Sequence, residues 1–133
     1  MDRDTTKRAL VIDDEESIRN YVRYLLEAAG YEVADADNGT RGLLAAVEAH
    51  FDLIVTDISM PGLDGVELIR EVRARGIRSR VIAMSGAEKA DTLLRIAGSF
   101  DADAIVEKPF TCEDLLSAVD GGARARHSTY QVR

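Results

Sequence analysis

Four short, largely apolar runs in this chain finish on residues that can do chemistry. ALVI is followed by Asp13 and Asp14, LIVT by Asp57, VIAM by Ser85, and AIVE by Lys108. Singly, each has an ordinary explanation. DDEE at 13–16 suits a helix N-terminus, where the macrodipole favours negative charge; Asp57 suits a turn; Ser85 suits a helix cap; Lys108 suits solvent. Brought to one place, they become three carboxylates, one hydroxyl and one ammonium. At an effective dielectric of ~20, each pair of carboxylates a few Å apart costs on the order of 1 kcal/mol or more. Such a cluster calls for a divalent cation, and an all-oxygen site with room for water suits Mg²⁺ better than zinc.

Whether the residues meet depends on the elements that carry them. Residues 9–13, 31–36, 52–57, 80–85 and 103–108 are short β-rich runs, which predicts five strands. Between them, apolar residues recur at helical spacing: Ile18, Val22, Leu25, Leu26 and Ala29 up to Gly30; Leu43, Leu44 and Val47 after the Asn38-Gly39 start signal; Val66, Ile69 and Val72; and Ala90, Leu93, Leu94 and Ala97. The last set, Leu115, Leu116 and Val119, opens with Thr111 and Asp114 in a capping-box pattern and stops at Gly121-Gly122. Strands and helices that alternate in this way imply a doubly wound α/β fold, a five-stranded parallel sheet with helices on both faces. Ligands of open parallel sheets bind outside the carboxyl ends of the strands. Those ends are Asp13-Asp14, Asp57, Ser85-Gly86 and Lys108-Pro109, while the second strand ends at Ala36-Asp37 with nothing comparable. After Asp57, Met60-Pro61-Gly62 reads as a tight turn, and Gly65 lets the next helix start close to it.

Composition sets the outer bounds. With 133 residues, 46% of them hydrophobic, the chain suits one ordinary domain; residues 1–122 are expected to fold and 123–133 to form a short flexible tail. No apolar run approaches the ~18 residues that span a bilayer, and no secretory pattern opens the chain, so a cytoplasmic protein without membrane attachment is expected. A formal net charge of −7 argues against nucleic acid as a partner. The single cysteine, Cys112, excludes an internal disulfide and reads as a helix-start residue, and His50 and His127 read as solvated side chains.

In order along the chain, VIDDE, VTDISMPGLDG, AMSG and VEKPF resemble the bacterial response-regulator receiver domain of the chemotaxis type, over about Leu10 to Val119. The resemblance implies a flavodoxin-like strand order 2-1-3-4-5. It implies that Asp57 accepts a phosphoryl group from the phosphohistidine of a histidine kinase or a histidine phosphotransfer protein. Asp13, Asp14, Asp57 and the backbone carbonyl of Ser59 would hold Mg²⁺, and Lys108 would neutralise phosphoryl oxygens. Ser85 would be the switch hydroxyl, with Gly86 leaving space beside it, and Pro109 a cis proline that aims Lys108 inward. Three residues before Lys108 the family usually has an aromatic that rotates on activation; here Ile105 stands there. Output is therefore expected through the loop after Ser85 and the helix from about Ala87 to Ala97, with a downstream protein bound at the face of the fourth helix, fifth strand and fifth helix.

The expected role is that of a stand-alone receiver, since ARARHSTYQVR after Gly122 is too short for a DNA-binding domain. A receiver excised from a larger kinase or regulator is the alternative. Haloacid-dehalogenase-type phosphatases also use a strand-end aspartate and Mg²⁺, but they resemble one another in a second aspartate two residues on, acting as general acid. Here that residue is Ser59, which cannot protonate a leaving alcohol. The receiver resemblance implies that Ser59 and Ala87 flank the place from which water would attack the phosphoryl group.

Overall fold

The computed structural model describes residues 6–86, 102–121 and 129–131. Strands β1 (Arg8–Ile12), β2 (Glu32–Ala36), β3 (Leu53–Asp57), β4 (Arg80–Gly86) and β5 (Ala104–Lys108) pair in parallel in the order β2-β1-β3-β4-β5. Helices α1 (Glu16–Ala28), α2 (Gly39–Glu48) and α3 (Gly65–Ala74) follow the first three strands, and α4 (Cys112–Asp120) follows β5. The helix expected at about 87–97 lies outside the described residues. This is the doubly wound architecture that the alternating periodicities imply.

Successive strand residues serve opposite faces. Leu10, Ile12, Ile54, Val81 and Ile105 pack with Leu68, Ile69 and Val72 of α3 on one side. Val11, Leu53, Val55, Ile82, Met84 and Val106 pack with Val22, Leu25 and Leu26 of α1 and Leu115 of α4 on the other. Each central strand is buried on both faces, which is why these strands are near-continuous apolar runs.

One expectation needs correction. The apolar stripe assigned to α2 does not face the core as a whole, because Leu44 and Val47 are 56% and 52% exposed while Gly39, Gly42 and Ala46 are buried. The helix approaches β1 so closely that a Cβ at Gly42 would press into the Ile12 side chain; small residues, not large ones, make that contact. Within the expected tail, residues 129–131 are described. Thr129–Gln131 forms β6, antiparallel to β5, with Ile105 opposite Tyr130. A β5 edge without a neighbour would present a row of unpaired N–H and C=O groups, and Thr and Tyr favour extended backbone.

Helix ends follow the local signals. Asn38 and Asp64 cap α2 and α3 by accepting the Arg41 and Glu67 amide N–H groups. Thr111 and Asp114 form the full capping box of α4, which closes at Gly121 with φ 73°. Cys112 is the first residue of that helix and is exposed.

Candidate functional site at the carboxyl ends of the strands

Strand register brings the site together. Ile12 lies beside Thr56, so Asp13 follows at the level of Asp57; Asp57 pairs with Met84, and Gly86 with Lys108. Asp13 is anchored by its amide N–H, which donates to the Ala36 carbonyl at 3.2 Å. Its Oδ1 accepts the Glu15 amide N–H at 2.9 Å. Arg19 of α1 donates to its backbone carbonyl at 2.9 Å, a contact that no spacing in the sequence announced.

One carboxylate oxygen from each of Asp13, Asp14 and Asp57 can be chosen so that all three lie within 4.8 Å of one another. Asp13 and Asp57 are buried and Asp14 is exposed, so the cluster opens to solvent on one side. Lys108 Nζ lies 3.1 Å from Asp13 Oδ2 and 3.3 Å from Asp57 Oδ1. One ammonium thus contacts two of the three carboxylates.

The electrostatics follow from that imbalance. Burial pushes the Asp57 pKa up and the charge on Asp13 adds to the effect, against the pull of Lys108. Burial likewise raises Asp13, although the Glu15 N–H and Lys108 oppose it. Burial disfavours the Lys108 charge, but Asp57 and Asp13 outweigh it and hold that pKa above its ordinary value. A cation with oxygen preference fits here: the donors are all carboxylates, and a divalent ion with Lys108 balances three negative charges.

The turn after Asp57 keeps the site compact. The Ile58 amide N–H donates to the Met84 carbonyl and the Gly65 N–H to the Ile58 carbonyl, each at 3.0 Å. Gly62 has φ 78°, and a Cβ on Gly65 would run into the Asp57 carbonyl oxygen. Ser59 is exposed on this turn.

Ser85 is buried, and its hydroxyl donates to the Gly86 carbonyl at 3.0 Å. Ile105 is fully buried beside Ala83, and the Lys108-Pro109 peptide is cis. The structure therefore gathers Asp13, Asp14, Asp57 and Lys108 and sets Ser85 at the same rim. Ile105 sits away from the rim, in the core, and Ala87 lies outside the described residues.

Comparison with known proteins agrees with this arrangement. Residues 9–120 match the family model of the response regulator receiver domain. The chain is 33% identical over 131 residues to the transcriptional regulatory protein ResD of Bacillus subtilis, covering 97% of this chain and 53% of ResD. It is 36% identical over 126 residues to the transcriptional regulatory protein PrrA of Mycobacterium tuberculosis, covering 94% and 53%. The chain spans about half the length of the curated relatives it matches. Among solved structures, the chemotaxis response regulator CheY4 of Vibrio cholerae superposes with a TM-score of 0.79 at 31% identity, over 87% of this chain and 98% of that one. A receiver domain protein of Clostridium thermocellum gives 0.78 at 33% identity, over 86% and 91%. With fold, rim and sequence in agreement, the chain belongs to the response regulator receiver domain family.

Proposed function

We propose that Asp57 accepts a phosphoryl group from the phosphohistidine of a histidine kinase or histidine phosphotransfer protein, and that the aspartyl phosphate changes the binding of a downstream protein. The observation that carries this reading is the buried Asp57 carboxylate beside Lys108 and the Asp13-Asp14 pair at one rim of the sheet. An Asp57 carboxylate oxygen attacks phosphorus as the P–N bond breaks, and the electron pair returns to the imidazole nitrogen. Lys108, within reach of Asp57, meets the negative charge on the phosphoryl oxygens. Asp13, Asp14, Asp57 and the Ser59 carbonyl would hold Mg²⁺, which supplies further charge neutralisation when bound. The chain acts on itself only and turns over no separate substrate.

Such a module works in the cytoplasm, where the kinase partner carries its phosphohistidine. Ser85 reaches toward the phosphoryl group in the activated state, shifting a pre-existing equilibrium, and the following segment with the face around β5 and α4 passes the change to the partner. Amide exchange with and without beryllofluoride checks this: protection changes confined to the neighbourhood of Asp57 would favour a passive relay. The length of the relatives favours one further reading, that the same chemistry serves as the receiver part of a larger regulator.

Phosphoramidate with Mg²⁺ tests the chemistry. Intact-mass spectra are expected to show one phosphoryl group per chain in the wild type, none in Asp57→Asn, and none with EDTA. Undiminished modification of Asp57→Asn would overturn the assignment.

A further inference from the structure

The segment that delivers Lys108 to the rim is held from across the molecule by α1. Tyr21 donates its phenolic O–H to the Phe110 carbonyl at 2.9 Å, and the two rings lie 5.8 Å apart at 37°. Phe110 is buried in the cluster that contains Val22, Leu25, Leu26 and Leu115. Thr111, next in the chain, caps α4. Only Pro109 and Phe110 therefore separate Lys108 from a fixed helix start, and Tyr21 grips the second of them.

This matters because a lysine carries its ammonium on a flexible four-carbon stem. Its contacts at 3.1 Å and 3.3 Å persist only if the backbone at its base stays in place. The same helix holds the opposite side of the rim, where Arg19 donates to the Asp13 carbonyl. One rigid element thus fixes the acidic pair through Arg19 and the lysine-bearing segment through Tyr21.

We propose that Tyr21 is a positioning residue, whose hydroxyl holds the backbone after Lys108 in register with the carboxylates. It rests on the reading of Lys108 as the phosphoryl-neutralising group. Tyr21 is 40% exposed, so water replaces the lost bond in part and the effect is moderate. Tyr24, 71% exposed on the same helix, supplies the control.

The test compares wild type, Tyr21→Phe and Tyr24→Phe in phosphoramidate-driven phosphorylation, with donor and Mg²⁺ varied separately. Tyr21→Phe keeps the ring and removes one neutral hydrogen bond, so its maximal rate constant is expected to fall roughly three- to tenfold. The half-saturating Mg²⁺ concentration should not move, because Asp13 keeps its bonds to Ala36, Glu15 and Arg19, and Tyr24→Phe should match the wild type. A wild-type maximal rate in Tyr21→Phe, or an Mg²⁺ requirement that shifts together with the rate, would overturn the assignment. A second readout needs no phosphorylation. In the metal-free protein the Lys108 Cε methylene, followed by NMR relaxation, should be restricted in the wild type and average toward a solvated lysine in Tyr21→Phe. If the wild type takes up no phosphoryl group, it is the reading of Asp57 that fails, and the methylene signal alone then decides: unchanged restriction in Tyr21→Phe overturns the role of the hydroxyl.

Discussion

At the amino ends of the strands, Asp52 and Asp103 each accept a backbone N–H; at the carboxyl ends, Asp13 and Asp57 share a single ammonium. Asp52 takes the Arg8 amide N–H at 2.9 Å, and that bond holds its pKa below the ordinary value. Asp103 accepts both the Val81 N–H at 2.8 Å and Arg73 Nη2 at 2.9 Å. Ser79 adds a 2.6 Å bond to the Phe51 carbonyl. These charged and polar groups staple strand starts together. Across the sheet, burial pushes Asp13 and Asp57 upward instead, helped at Asp57 by the charge on Asp13 and at Asp13 by that on Asp14. A fold that satisfies carboxylates so fully at one end has kept them in conflict at the other, the rim that the proposed phosphoryl transfer would use.

Removing Lys108 should break this contrast most severely. Lys108→Met takes away the cation that touches both Asp13 and Asp57, and by analogy with the loss of one positioned charge donor, phosphorylation by phosphoramidate should slow roughly 10²- to 10³-fold. A loss below a few-fold would remove Lys108 from the chemistry.

A substitution at the stapled end should do the reverse. Asp103→Ala leaves the Val81 N–H without the Asp103 carboxylate and removes one of the acceptors of Arg73, at about 1–3 kcal/mol in urea unfolding, while the phosphorylation rate of the folded protein stays near wild type. Parallel losses of stability and rate would mean that the two rims are not independent.

The smallest effect sharpens the comparison by pH. The Asp52 pKa is depressed below 3.8, so its charge stabilises the fold above that value, and the contribution disappears as pH falls through the folded pKa. Asp52→Asn should therefore melt slightly lower than wild type near neutrality and equally in strong acid. A gap that persists in acid would assign the effect to the hydrogen bond alone.

Most of this was legible in the sequence because buried parallel strands write themselves as apolar runs, and a parallel sheet leaves their carboxyl ends no choice but to share a rim. Asp13, Asp14, Asp57 and Lys108 were readable for that reason. β6 was not, since a three-residue Thr-Tyr-Gln strand has no alternation to detect and exists only against an available β5 edge. Nor were Arg19 and Tyr21. Their polar tips reach carbonyls of residues 6 and 89 positions away, and those bonds depend on how α1 docks rather than on its own pattern. In α2 Leu44 and Val47 misled, whereas Leu43 packs against the core and Gly42 carries the close approach to β1.

Thermal melting of wild type and Asp13→Asn, with EDTA and with Mg²⁺, tests most directly whether the rim is a repulsive cation site. The folded pKa of Asp13 is raised above 3.8, so its ionised form costs stability, and that cost sets in as pH rises from 3.8 through the folded value. Asp13→Asn should melt higher than wild type in EDTA near neutral pH, by a margin that closes as pH falls toward 3.8. Mg²⁺ should raise the melting temperature of the wild type more than that of the variant. A variant that melts lower than wild type in EDTA and responds to Mg²⁺ as the wild type does would contradict the account and make Asp13 a structural residue.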